Sequence, residues 1–335
     1  MKVWRIAQFG VQELEQYESA MPVPGPGEVL VRVHAVSLNF RDLLVVKGHY
    51  NPKMALPRIP CSDGAGEIVE VGGGVTQWKT GDRVAGIFMQ NWHDGRPTPA
   101  KTRGALGGDI DGMLAEYVVL PAEGVVAIPA HLSYAEGATL PCAAVTAWTA
   151  LRGNIQAGNT VLILGTGGVS IFALQFARLM GARVIGTSSS DEKLARARKL
   201  GLDAGVNYKQ VPEWAQWVLE ATGGEGADVV IEVGGAGTLQ QSLHAVRMGG
   251  TVAQIGVLTG IKESLLIAPI LHKLIKVQGI YVGSRQDFLE MNQAISLAEL
   301  RPVIDKSFSF SGIREALAAM EASSHFGKIV IQVSS

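Results

Sequence analysis

Four consecutive apolar positions, Val161-Leu162-Ile163-Leu164, run into Gly165-Thr166-Gly167-Gly168, and a largely apolar stretch follows from Val169 to Ala177. A short apolar run closed by glycines predicts a buried strand, and the stretch after it predicts a helix. A second strand, residues 182–187, follows at the right distance for a strand–helix–strand unit. Upstream, Ser133 and Glu136 have the spacing of a capping box ahead of an apolar helix through Leu151, and strand–helix alternation continues to about residue 280. Such alternation predicts a parallel sheet covered by helices. Residues 1 to about 125 read differently, as short strands such as 27–33 and 66–71 separated by Gly and Pro turns, so this part is mainly β. Residues 89–112, polar and rich in Gly and Pro, read as a long loop. A last helix, 312–321, and strand, 328–333, are expected to return to the first domain.

A chain of 335 residues, 47% hydrophobic and with 41 glycines, suits two domains of an α/β protein rich in turns. With 29 basic and 30 acidic residues and no basic run, nucleic acid and anionic membranes are poor partners. The start reads as an opening strand rather than a signal peptide, and no apolar stretch reaches spanning length, so a cytoplasmic location is expected. Cys61 and Cys142 cannot build a disulfide framework and are few for a structural metal.

The glycine turn is where chemistry enters. Gly165 permits the tight turn, Gly167 lets backbone approach a phosphate, and the free N–H groups of Gly168 and Val169 at the helix start attract an anion. Ser170 stands where a third glycine is usual, and it is small enough for close helix–strand packing. A carboxylate that binds the adenosine ribose of NAD is expected about 20 residues after the first glycine. Here the chain reads Ser188-Ser189-Ser190-Asp191-Glu192-Lys193, hydroxyls and a lysine, which favours NADPH over NADH. Ser188 to Ser190 also suit the cap of a helix starting near Asp191, and both readings are compatible.

Pro24-Gly25-Pro26-Gly27-Glu28-Val29, Ser37-Leu38-Asn39-Phe40-Arg41-Asp42, Gly81-Asp82-Arg83-Val84, Leu140-Pro141-Cys142 with Thr146-Ala147-Trp148, the glycine turn, and Val282-Gly283-Ser284-Arg285 occur in a telling order and spacing. In these the chain resembles the medium-chain dehydrogenase/reductase superfamily, and within it the zinc-free quinone oxidoreductase-like branch. The resemblance implies an α/β architecture in two parts: a GroES-like, mainly-β catalytic domain, residues 1–126 completed by 282–335, and a Rossmann doubly wound parallel-sheet cofactor domain, residues 127–281. It also implies that Asn39 and Asp42 floor the active cleft, with Tyr50 lining the pocket as oxyanion donor or proton relay. Thr146 faces the nicotinamide amide on this reading, Lys193 and Tyr208 join Ser188 and Ser189 on the 2′-phosphate, and Arg285 lies near the pyrophosphate. Gly234, Gly256 and Val257, with Thr166 of the turn, border the cofactor. Trp92 and His93 lie on the long loop and read more readily as surface residues than as catalytic ones.

Where zinc alcohol dehydrogenases carry a cysteine and a Gly-His-Glu, this chain has Asn39 and Cys61-Ser62-Asp63, leaving only Cys142 of three ligands. One soft ligand cannot hold catalytic zinc, so no metal is expected. Without a Lewis acid, the better hydride acceptors are quinones and conjugated enals or enones, which need only a hydrogen bond to the developing oxyanion. The expected function is a zinc-independent NADPH-dependent reductase of a small-molecule electrophile. A metal-free NADP-dependent alcohol or carbonyl dehydrogenase and a non-catalytic, crystallin-like NADPH-binding protein are the alternatives. The segment Ile280-Tyr281-Val282 resembles an apolar edge strand that pairs across a two-fold axis, which points to a homodimer.

Overall fold

The turn-rich start of the chain forms β1 (Lys2–Ile6), β2 (Leu14–Glu18), β3 (Glu28–Leu38), β4 (Asp63–Val71), β5 (Arg83–Gly86), β6 (Tyr117–Pro121) and β7 (Val125–Ala127). The computed structural model describes residues 1–334. β1 and β2 pair with each other, and β3 is the spine of this region, antiparallel to both β4 and β6. Val29, Val31 and Val33 of β3 alternate into the core, and a register shift between Val33 and Ala35 moves that phase to Val36 and Leu38.

The alternating middle of the chain forms β8 (Thr160–Leu164), β9 (Arg183–Ser188), β10 (Ala204–Asn207), β11 (Ala227–Glu232), β12 (Val246–Gln254) and β13 (Lys276–Gly279). They make one parallel sheet in the order β10-β9-β8-β11-β12-β13. The order reverses at β8, the arrangement in which open α/β sheets place their ligands. β14 (Ile304–Ser309) and β15 (Lys328–Gln332) rejoin the first region, where β15 runs antiparallel to β3 with Ile329 opposite Leu38.

Residues 1–145 with 282–335 form one compact unit and residues 146–281 the other. The division falls later than residue 126 because the turn Tyr134–Gly137 and the wider helix Leu140–Ala144 pack on β4 and β5. The apolar stretch after Ser133 is helical but irregular. Its capping box is present and Ala138 and Thr139 keep right-handed helical dihedrals, while the turns widen over Leu140–Ala144, where Pro141 has no N–H to donate, before Val145–Leu151.

The segment 280–282 also differs from the expectation of an edge strand. The edge is β13, and Val282 turns with a φ of 57°, ending the extended run. The helix Arg285–Leu297, capped by Ser284 and Asp287, is an element that the pattern reading had not singled out. Among the described residues no helix is long and apolar enough to cross a membrane.

Candidate active site

In the unit of residues 146–281, β8 ends at Leu164 and the chain turns through Gly165, whose φ of 70° favours glycine. Gly167 caps the helix Gly168–Leu179. A Cβ on either glycine would meet nothing within 4 Å, so the turn has open space beside it, while Gly165 N donates to Thr187 O at 2.9 Å. Thr166 is buried within it. Ser170, buried, donates its hydroxyl to Leu164 O at 2.7 Å, tying helix to strand where a third glycine would only let them approach.

At the end of β9, Ser188 is buried, and the Ser190 hydroxyl accepts from Lys193 N at 3.3 Å, capping the helix Asp191–Lys199. Asn207 of β10 lies opposite Ser188, and Tyr208 N donates to Ser188 O at 3.0 Å. Ser188, Ser189, Lys193 and Tyr208 thus collect at the adjoining C-terminal ends of β9 and β10. Asp191, the carboxylate nearest in sequence, accepts from Gln210 Nε2 at 2.9 Å.

Gly234 and Gly256 serve the ends of β11 and β12 differently. A Cβ at Gly256 would lie 2.0 Å from Val233 O, so the glycine there allows backbone to pass backbone. Gly234 N donates to the buried Glu232 carboxylate at 2.7 Å; Gly235 N, Thr238 Oγ1 and Ser242 Oγ donate to it as well. Val257 is half-exposed beside them, and Thr146 is buried at the start of its helix.

In the other unit, four distant stretches meet. Asp42, in the first turn of the helix Phe40–Val46, accepts from Asn39 N at 2.8 Å, from Ser62 N at 3.3 Å and from Arg41 Nη1 at 3.3 Å. Lys328 at the head of β15 donates to Leu38 O at 2.8 Å and to Asn39 Oδ1 at 2.6 Å. The Asn39 amide Nδ2 reaches Ser62 Oγ at 3.5 Å, Ser62 Oγ donates to Asp63 Oδ1 at 2.6 Å, and Asp63 Oδ2 accepts from Cys142 N at 3.1 Å. All of these groups are buried apart from Arg41 and Cys142, which are partly so.

Burial raises the carboxyl pKa of Asp42, opposed chiefly by the Arg41 guanidinium, and of Asp63, opposed chiefly by Lys328. Burial, with nearby carboxylates adding to it, also pushes the Cys61 and Cys142 thiols up. Among the described residues no three His, Cys, Asp or Glu side chains gather as a metal site.

Tyr50 lies 40% exposed beyond the helix Phe40–Val46, its ring centre 5.0 Å from the Arg41 guanidinium carbon. Arg285 opens its helix, with its N–H on Trp92 O and its Nε on Val125 O at 3.3 Å, within the same unit as Asn39. Trp92 is buried and donates to Gly95 O, while the His93 ring lies 3.1 Å from Gln90 O.

Lys328 and Glu232 are the residues that sequence reasoning missed. Lys328 heads the apolar run Ile329-Val330-Ile331, a pattern that marks the strand but not the partner 289 residues earlier in the chain.

The chain matches the family described as Alcohol dehydrogenase GroES-like domain over residues 25–130 and that described as Zinc-binding dehydrogenase over residues 168–297. It is 45% identical to a zinc-type alcohol dehydrogenase-like protein of Schizosaccharomyces pombe, over 98% of this chain and 97% of that one. It is 30% identical to an acryloyl-coenzyme A reductase of Metallosphaera sedula, over 96% of each. Among solved structures, a putative alcohol dehydrogenase from Sinorhizobium meliloti superposes with a TM-score of 0.93 at 43% identity, covering 99% of this chain and 98% of that one. An NAD-dependent alcohol dehydrogenase gives 0.91 at 33%, covering all of both. The 2-octenoyl-CoA carboxylase reductase CinF, solved with NADP and 2-octenoyl-CoA, gives 0.86 at 27%, covering 96% of this chain and 82% of that one. With its two domain families matched in order and a relative of such identity over nearly its whole length, this chain belongs to the medium-chain dehydrogenase/reductase superfamily of nicotinamide-dependent oxidoreductases.

Proposed function

We propose that the protein is a zinc-independent, NADPH-dependent reductase acting on quinones or α,β-unsaturated carbonyl compounds. The observation that carries this reading is the buried chain Lys328, Asn39, Ser62, Asp63. Catalytic zinc takes three protein ligands, as thiolate, imidazole or carboxylate. At two of those positions stand an amide and a hydroxyl, whose oxygens already accept from Lys328 and from Asn39. Burial pushes the Cys142 thiol up, and it is the one soft ligand left at those positions.

The open space at Gly165 and Gly167 fits a pyrophosphate, with Thr166, Gly168 and Val169 completing its cradle. Ser188, Ser189, Lys193 and Tyr208 suit a 2′-phosphate, with serines rather than a carboxylate at the end of β9 and Lys193 as the cation. Thr146, Gly234, Gly256 and Val257 line the remainder. NADPH held there supplies a hydride. Tyr50 donates its hydroxyl to the substrate oxygen on which charge develops, Arg41 holds the ring in place, and Asn39 and Asp42 brace the floor. The acryloyl-CoA and octenoyl-CoA enzymes favour the conjugated-carbonyl half of the reading; the alcohol dehydrogenase relatives favour a metal-free carbonyl reductase as the second.

A homodimer is part of this proposal. β13 is an open sheet edge, and in the chain leading into it Ile267, Leu271 and Leu274 are each more than 70% exposed, an apolar surface that a second copy would cover.

Oxidation of NADPH with a panel of quinones, enones, enals and aldehydes, together with elemental analysis, tests the function. Turnover of a quinone or enone by chelator-treated protein supports it. One zinc per chain, with activity lost to the chelator, refutes it. Light scattering of a Leu271→Lys, Leu274→Lys variant tests the dimer.

A further inference from the structure

Lys328 is 3% exposed in a strand whose next three residues are Ile, Val and Ile. Lysines are almost never buried unless paired. An ammonium has donors only, so the Asn39 atom facing it is the oxygen, and the amide NH2 must face away, toward Ser62. An ionised carboxylate only accepts, so the Ser62 hydroxyl proton points to Asp63. The two charged ends therefore set the direction of every bond between them. Facing Asp63 from neighbouring elements are Asp42 and Arg41 of the helix Phe40–Val46, Cys61 before β4, and Cys142 of the segment Leu140–Ala144. Among these groups Lys328 and Arg41 are the cations, and Arg41 is paired with Asp42.

We propose that Lys328 is a positioning residue of the candidate active site: its charge orients the Asn39 amide and, through Ser62, balances Asp63. The catalytic part of this inference rests on the reductase reading; the electrostatic part does not. Removing the ammonium raises the Asp63 carboxyl further. A carboxyl raised in the folded state costs stability above its folded pKa, and that cost is relieved as the pH falls and the group takes up its proton.

The test uses Lys328→Met, Asp63→Asn and the double variant. Thermal unfolding is followed at pH 6 and pH 8, with NADPH titration by nicotinamide fluorescence and steady-state kinetics. K328M is expected to lose more Tm at pH 8 than at pH 6, and the double variant to recover at least about half of the pH 8 loss. In turnover, K328M is expected to lose about ten- to a hundred-fold in kcat, with the KM for NADPH changed by no more than about twofold. A deficit equal at both pH values, a double variant no more stable than K328M, or an unchanged kcat overturns the assignment. If the wild-type protein turns over no member of the panel, the reductase reading fails and the unfolding measurements alone decide the role of Lys328.

Discussion

The two units present their functional residues by opposite means. In residues 146–281 the candidate site centres on a turn of bare backbone: a Cβ on Gly165 or Gly167 would meet nothing within 4 Å, just ahead of the helix Gly168–Leu179. In the other unit it is a closed set of buried side chains, Asn39, Asp42, Ser62, Asp63 and Lys328, that satisfy one another. A backbone site costs little to fold, because its donors lie at a helix end that water solvates until a ligand arrives. A buried charged network must be complete, since any member left alone carries its whole desolvation cost.

The sharpest way to break this contrast is to open the closed network. Asp42→Ala strips the acceptor from Asn39 N, Ser62 N and Arg41 together, and is expected to cost about 3–5 kcal/mol in denaturant unfolding, as for a broken buried ion pair. A loss within 1 kcal/mol would mean, on the order-of-magnitude scale for exposed sites, that the network contributes no more than surface contacts do.

Tyr50 lies outside the network, with the Arg41 guanidinium over its ring. Tyr50→Phe is therefore expected to leave stability near that of the wild type while lowering kcat by roughly ten- to a thousand-fold, with NADPH affinity unchanged. Equal loss of stability and rate would make it a packing residue.

Two glycines separate the backbone roles. Gly256→Ala drives a Cβ against Val233 O and is expected to cost about 1–3 kcal/mol. Gly167→Ala meets no protein atom, so its stability should stay within about 0.5 kcal/mol of wild type while NADPH binding weakens. Isothermal unfolding of the pair beside cofactor titration checks this; unaltered NADPH affinity in Gly167→Ala would remove the turn from the binding site.

The last effect is that of a single half-buried side chain. Lys193→Ala is expected to weaken NADPH by roughly ten- to a hundred-fold, the range of one charge-assisted hydrogen bond, and to leave NADH nearly unchanged. Fluorescence titration of both cofactors reads this directly, and a wild type that binds NADH as tightly as NADPH would refute the assignment.

Local pattern carried the glycine turn, the alternation of strand and helix, and the capping serines, because each is settled by residues within about one turn or one pleat of each other. The widening of the helix after Ser133 was less visible: the apolar pattern continues through Ala138 and Thr139, and the wider turns over Leu140–Ala144 leave no mark in it beyond Pro141. The end of the edge strand was missed for a similar reason, since Ile280-Tyr281-Val282 has strand composition while Val282 turns out of the sheet. By itself, then, the sequence determined the parallel sheet and its glycine turn, while Asn39, Asp42 and Tyr50 became candidates through the family resemblance. Only the tertiary structure decided that Lys328 stands against Asn39. The pairing of β15 with β3 brings together residues 289 positions apart, and a lysine leading an apolar strand carries no local mark of the charge it will have to meet.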